Sequence, residues 1–140
     1  SGTQGSAYIE TTVNQPTSGT GDPVLLSTFD GGSGVPMGLT SSKVSVYDVG
    51  GWRVGSGASV TLPATTIQKL AVSWNATTAY GFSNGGAASE LTGYDGNLNL
   101  SANIGIGAHL GATGQPFGTI RGVRVWGVAR STAYLQAKTA

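Results

Sequence analysis

Gly118-Thr119-Ile120-Arg121-Gly122-Val123-Arg124-Val125-Trp126-Gly127-Val128-Ala129-Arg130-Ser131, near the end of this 140-residue chain, decides the fold. β-Branched residues crowd into it, as suits a pleated, half-buried strand. Ile120 differs in parity from Val123 and Val125, so the strand turns them all to a core only across a bulge, which Gly122 is placed to supply. Ser131 reads as a helix N-cap. The following Thr132-Ala133-Tyr134-Leu135-Gln136-Ala137-Lys138 is a short terminal helix, with Leu135 folded back onto the strands. Trp126 is expected in the core or against this helix.

Working outward, residues 69–74 put Leu70, Val72 and Trp74 on one strand face and Ala71 and Ser73 on the other, which makes Trp74 a core residue. A turn at 75–78 leads to a strand at 79–83. Asn84-Gly85 is a two-residue turn signal into 87–91. Earlier strands fall at 6–13, at 24–29 (stopped by Asp30-Gly31-Gly32), and at 36–40 and 43–47, a hairpin turning at Ser41-Ser42. Two more, 52–54 and 58–62, are separated by glycine-rich breaks. With 98–100, 104–107 and 120–128 the count reaches about a dozen short strands before one helix, an all-β sandwich. No internal repeat or dividing linker appears, so residues 1–140 form one domain.

Glycine supplies 24 of 140 residues, against a typical usage of about 7%. No Gly-X-Y period accompanies it, and the glycines fall between β-branched runs, where tight turns need them. Hydrophobic residues reach 39% and charged residues only 9%, the reverse of a disordered composition. Net charge is +1, and Arg121 and Arg124 fall on opposite faces of a regular strand, so a nucleic-acid partner is not expected. With no cysteine there is no disulfide, thiol nucleophile or Cys-based zinc site. No apolar run approaches the ~18 residues of a membrane helix. The start at Ser1-Gly2, without an initiator Met, suggests a piece of a longer protein.

Four blocks together resemble the laminin-G-like, concanavalin-A-like jelly roll: Lys69-Leu70-Ala71-Val72-Ser73-Trp74-Asn75; Ser83-Asn84-Gly85; Asn103-Ile104-Gly105-Ile106-Gly107; and the terminal strand with its helix. They occur in that family's order across roughly residues 5–140. The resemblance implies two antiparallel sheets with the first and last strands as neighbours. It also implies binding to cell-surface glycans. The glycine-rich, cysteine-free, low-charge style is most like copies in bacteriophage tail fibres, tailspikes and head spikes, which would place the chain on a virion surface. A secreted or cell-surface bacterial protein is the alternative.

Catalysis is not expected. Jelly-roll glucanases pair carboxylates on one strand, because retaining hydrolysis needs two carboxyls about 5 Å apart. Here Glu10, Asp22, Asp30, Asp48, Glu90 and Asp95 are the only acids, none closer than five positions to another. His109 is the only histidine, and no Gly-x-Ser-x-Gly elbow accompanies it. No cofactor is expected. Calcium has one candidate, Asp95 with Asn97, as loop oxygens serve that ion in relatives, but Asp95-Gly96 is equally a turn signal. The glycine-rich stretches at 105–107 and 111–114 lack the Lys-Ser/Thr of a phosphate loop.

Aromatic residues beside polar ones carry the remaining chemistry. A ring exposed in a loop stacks on a sugar while a neighbouring Asp or Asn accepts its hydroxyls. Residues 48–53 and 94–97 combine these features, giving Asp48, Trp52, Arg53, Tyr94, Asp95 and Asn97 as ligand-binding candidates, with His109 a lesser addition. Filling a sheet edge or an oligomer contact is the other fate of Trp52 and Tyr94. The expectation is a non-catalytic glycan-binding, host-attachment module, trimeric in its parent fibre or spike. A structural module for capsid decoration or fibre oligomerisation is the alternative.

Overall fold

Alternation along β1 (Gly5–Val13) turns Ala7, Ile9 and Val13 into the core and Tyr8 and Glu10 outward. That strand lies inside a five-stranded sheet ordered β10-β1-β6-β7-β8, where β6 is Gln68–Trp74, β7 Ala79–Ser83, β8 Ser89–Glu90 and β10 Gly118–Trp126. The second sheet is ordered β5-β4-β3-β2-β9, with β2 Val24–Ser27, β3 Val35–Thr40, β4 Lys43–Asp48, β5 Gly51–Ser59 and β9 Gly105–Ile106. Every pairing is antiparallel. The computed structural model describes residues 4–13, 24–27, 34–96, 98, 100, 103–107 and 118–140, and the fold is stated for these.

Between the sheets, Leu70, Val72 and Trp74 of β6 pack with Leu25, Leu26, Met37, Leu39, Val44 and Val46. Trp74 is 3% exposed, as its parity predicts. A second apolar cluster lies on the outer side of the first sheet. There α1 (Thr132–Thr139) sets Leu135 onto Tyr8, Ala71 and Phe82, with Trp126 packed at the margin. Ser131 caps the helix, its hydroxyl accepting from the Tyr134 amide at 3.2 Å.

The bulge in β10 falls at Gly122, whose φ of +64° suits a residue without Cβ. Tyr8 pairs with Arg124 and Glu10 with Arg121, so two steps along β1 face three along β10. Ile120 and Val123 both reach the core as a result. Arg121 and Arg124, separated by parity in a regular strand, are brought to the same outer face.

Elsewhere the chain follows some of its local signals and departs from others. The turn at Ser41-Ser42 holds φ of 50° and 58°, a primed hairpin turn as expected. Residues 52–54 and 58–62, read as two strands with a break, differ from that expectation: 52–59 belong to the single irregular strand β5, and 60–62 lie beyond its end. The strand read at 87–91 shrinks to β8. Leu98 is buried core, but no strand includes it or Leu100. Residues 28 and 29, the end of the second expected strand, lie outside the described residues.

Candidate functional site

Asp48 ends β4 and shares the inward face with Val44 and Val46, so its carboxylate points at the sandwich rather than at solvent. It is fully buried, and both oxygens are engaged: Oδ1 accepts from the Gly50 amide at 2.8 Å and Oδ2 from Arg53 Nε at 2.7 Å. Arg53, opposite Val46 in the ladder, comes in from the same side. The hydrogen bond to Asp48 holds its guanidinium above the ordinary arginine range, with the charges of Asp48 and Asp95 adding to it. Removing Arg53 costs about 3–5 kcal/mol, because the fully buried Asp48 carboxylate loses its counter-charge.

The segment after β8 closes over this pair. Thr92 donates its amide to the Val54 carbonyl at 3.3 Å, and an added Cβ on Gly93 would stand 3.2 Å from Arg53 Nη1. The candidate segment 48–53 and the described part of the other, 94–96, therefore meet at one end of the sandwich. Their residues play different parts from those expected. Tyr94 is no exposed platform: it is 8% exposed and packs in the core. Burial, then the nearby charges of Asp48 and Asp95, push its phenol up to about 12. Its hydroxyl has no hydrogen-bond partner among the described residues. Trp52 lies not in a turn but in β5, half-buried on the outer sheet face, edge-on to Tyr47 at a centroid distance of 5.3 Å. Asp95 is exposed and close enough to act on Arg53. Asn97 and His109, like Asp30, lie outside the described residues. Among the described residues no three His, Cys, Asp or Glu side chains gather as a metal would need.

An open cleft of about 650 Å³ adjoins this cluster, where the edge strands β5 and β8 of opposite sheets come together. Gly55 makes the approach feasible, since a Cβ there would lie 2.2 Å from Ser89 Oγ and 2.4 Å from the Glu90 carbonyl. Ser89 also accepts from the Gly57 amide at 2.9 Å, fastening the edges. Ala87 and Ala88 are small apolar lining residues, and Ser56, Glu90 and Thr92 are polar ones. The set suits a ligand rich in hydroxyl groups. Sequence reasoning missed Ser56, Glu90 and Thr92. Gly55-Ser56-Gly57 was the available signal, since glycines flanking a serine permit close backbone approach.

No protein-family model and no curated protein matches this chain. Solved structures do. Domain 4 of AbnA, a GH43 extracellular arabinanase from Geobacillus stearothermophilus in complex with arabinotriose, has a TM-score of 0.69 at 17% identity, covering 99% of this chain and 67% of that one. The CBM40 of the Ruminococcus gnavus IT-sialidase, bound to alpha2,3 sialyllactose, has a TM-score of 0.66 at 17% identity, covering 98% and 83%. The receptor binding domain of botulinum neurotoxin mosaic serotype C/D has a TM-score of 0.63 at 12% identity, covering 96% and 35%. At such identities the likeness establishes the fold, an antiparallel jelly-roll β-sandwich with a C-terminal helix.

Proposed function

We propose that this chain is a non-catalytic carbohydrate-binding module that holds a glycan in the cleft between β5 and β8. The observation carrying this reading is the cleft itself, open and lined by small residues together with the polar Ser56, Ser89, Glu90 and Thr92. The fold supports it, because an arabinotriose-bound domain and a sialyllactose-bound module share the architecture. Asp48 and Arg53 act as the rigid wall behind the cleft, their charges spent on each other.

In this reading the partner is a cell-surface glycan, and no cofactor or nucleic acid takes part. A few hydrogen bonds give ~mM affinity per site, so attachment needs several linked copies. That requirement suits a trimeric bacteriophage fibre or spike displaying the module on the virion surface for host attachment. The glycine-rich, cysteine-free composition supports that setting over a secreted or cell-surface bacterial protein.

A glycan array probed with an engineered multimer tests the proposal. Wild type should bind a defined glycan subset, and Glu90→Gln with Thr92→Ala should lose it. Unchanged binding by the variant would remove the site from the cleft. Absence of any bound glycan would favour the structural reading, an oligomerising module. One observation supports that reading: Ile104, Ile106 and Val125 are 51%, 57% and 44% exposed along the β9 and β10 edges.

A further inference from the structure

Five of the seven Lys and Arg residues stand on one side of the sandwich. Ladder pairing puts Lys69 and Arg121 opposite Glu10, and Arg124 opposite Tyr8, all on the outer face of the first sheet. Lys138 of α1 places its ammonium 4.9 Å from the Tyr8 ring centre, on the same face. Arg130, between β10 and α1, completes the set, with its guanidinium 5.5 Å from the Trp126 ring centre and 5.4 Å from that of Tyr134. Among the described residues Glu10 is the acidic side chain within the row, Lys69 donates to the Ala140 carbonyl, and Glu90 stands at the far edge strand.

Arg130 is held at both ends. Its amide donates to Ser6 Oγ at 2.7 Å, and its carbonyl accepts from Ser73 Oγ at 3.1 Å. Two mutually perpendicular rings, 5.9 Å apart, fix the guanidinium. A planar fork stacked on aromatic rings and already immobilised loses little entropy on meeting a carboxylate or sulfate. Arg124 is exposed and has no hydrogen bond or ion pair among the described residues, which leaves its five donors to a ligand. Arg121 is partly engaged by Glu10, Nε to Oε2 at 3.1 Å.

We propose that this face, along β10 and the start of α1, binds an anionic polysaccharide, a chain of sugar rings bearing carboxylate or sulfate groups. Arg130 and Arg124 take the acidic groups, while Glu10, lying across the sheet between Arg121 and Lys69, accepts sugar hydroxyls. Glu10 decides against a nucleic acid. A polynucleotide puts a phosphate at every step and gains affinity with each one neutralised. A carboxylate in the row repels such a ligand but suits one that alternates anions with hydroxyls. The surface is separate from the β5–β8 cleft and stands even if no glycan enters that cleft.

Binding of the 140-residue chain to immobilised heparin, polygalacturonate, dextran and poly(dT) tests the proposal. Heparin reports sulfate and polygalacturonate carboxylate. The chain should bind at least one of them at low salt, weaken as salt rises, and ignore dextran. Arg124→Ala with Arg130→Ala should lower that affinity at least tenfold, whereas Lys43→Ala on the other sheet should not change it. Should the alanine pair fail to fold, Arg124→Gln with Arg130→Gln removes the charges while keeping most of the bulk. Failure to bind either anionic polysaccharide, equal retention on dextran, tighter binding to poly(dT), or affinity untouched in both arginine variants would each overturn it.

Discussion

Four side chains illustrate how position decides what an aromatic residue does here. Trp74 is enclosed between the sheets, whereas Trp52 lies half-buried on an outer face against Tyr47. Trp74→Ala should therefore cost about 3–5 kcal/mol, as large-to-small changes in cores do. Trp52→Ala should cost about 1 kcal/mol, the scale of a lost edge-to-face contact. Urea denaturation of both variants checks this, and equal costs would contradict the assignment. Tyr94 and Tyr8 both have phenols pushed up to about 12, chiefly by burial, with Tyr8 also donating to Glu10 at 2.8 Å. A folded-state value above the unfolded one favours the neutral phenol. Its stabilisation is whole below pH 10.0 and is lost as pH rises towards about 12. Ultraviolet titration should find two tyrosines ionising only near pH 12, with thermal stability falling across the same interval; ionisation of all five at their ordinary value would contradict it. Trp74 was legible because strand parity is local. Tyr94 was not, because Asp95-Gly96 beside it signals an exposed turn, while its burial comes from β4 and β5, distant in sequence.

At the scale of elements, the same distinction separates β10 from β5. The mismatch of Ile120 with Val123 can be read from ten residues, and Gly122 stands where it must. Its φ of +64° and the 3.1 Å between an added Cβ and Glu10 Cδ make that glycine specific. Gly122→Val should destabilise the chain by roughly 1–2 kcal/mol, Gly122→Ala by less, and Gly122→Asn least, since Asn tolerates the left-handed region best. Chemical denaturation ranks the three, and equal costs would refute a strained bulge. β5 was less legible. Gly55-Ser56-Gly57 looks like an interruption because glycine is usually a turn residue, but here it lets an edge strand pass close to β8. The helix signals were also local, since Ser131 and Leu135 supply the cap and the anchor within five positions.

For the whole molecule, the two proposed binding surfaces lie where the sheets end and where α1 leaves one face uncovered. The β5–β8 cleft joins edges from different sheets, so residues 56, 90 and 92 become neighbours only once both sheets are stacked. Gly55-Ser56-Gly57 hints at the close approach of one edge, but no single stretch of sequence announces all three. Residues 48–53 and 94–97 did stand out in the sequence, and the fold unites 48–53 with 94–96 behind the cleft, as its support rather than its lining. The central claim is that a glycan occupies this cleft. Amide chemical-shift mapping by NMR, during titration with the tightest glycan from an array, tests it most directly. The amides of Ser56, Gly57, Glu90, Thr92 and Gly93 should shift together and saturate in the ~mM range. Shifts confined to other surfaces, with these five amides unmoved at saturation, would contradict the claim.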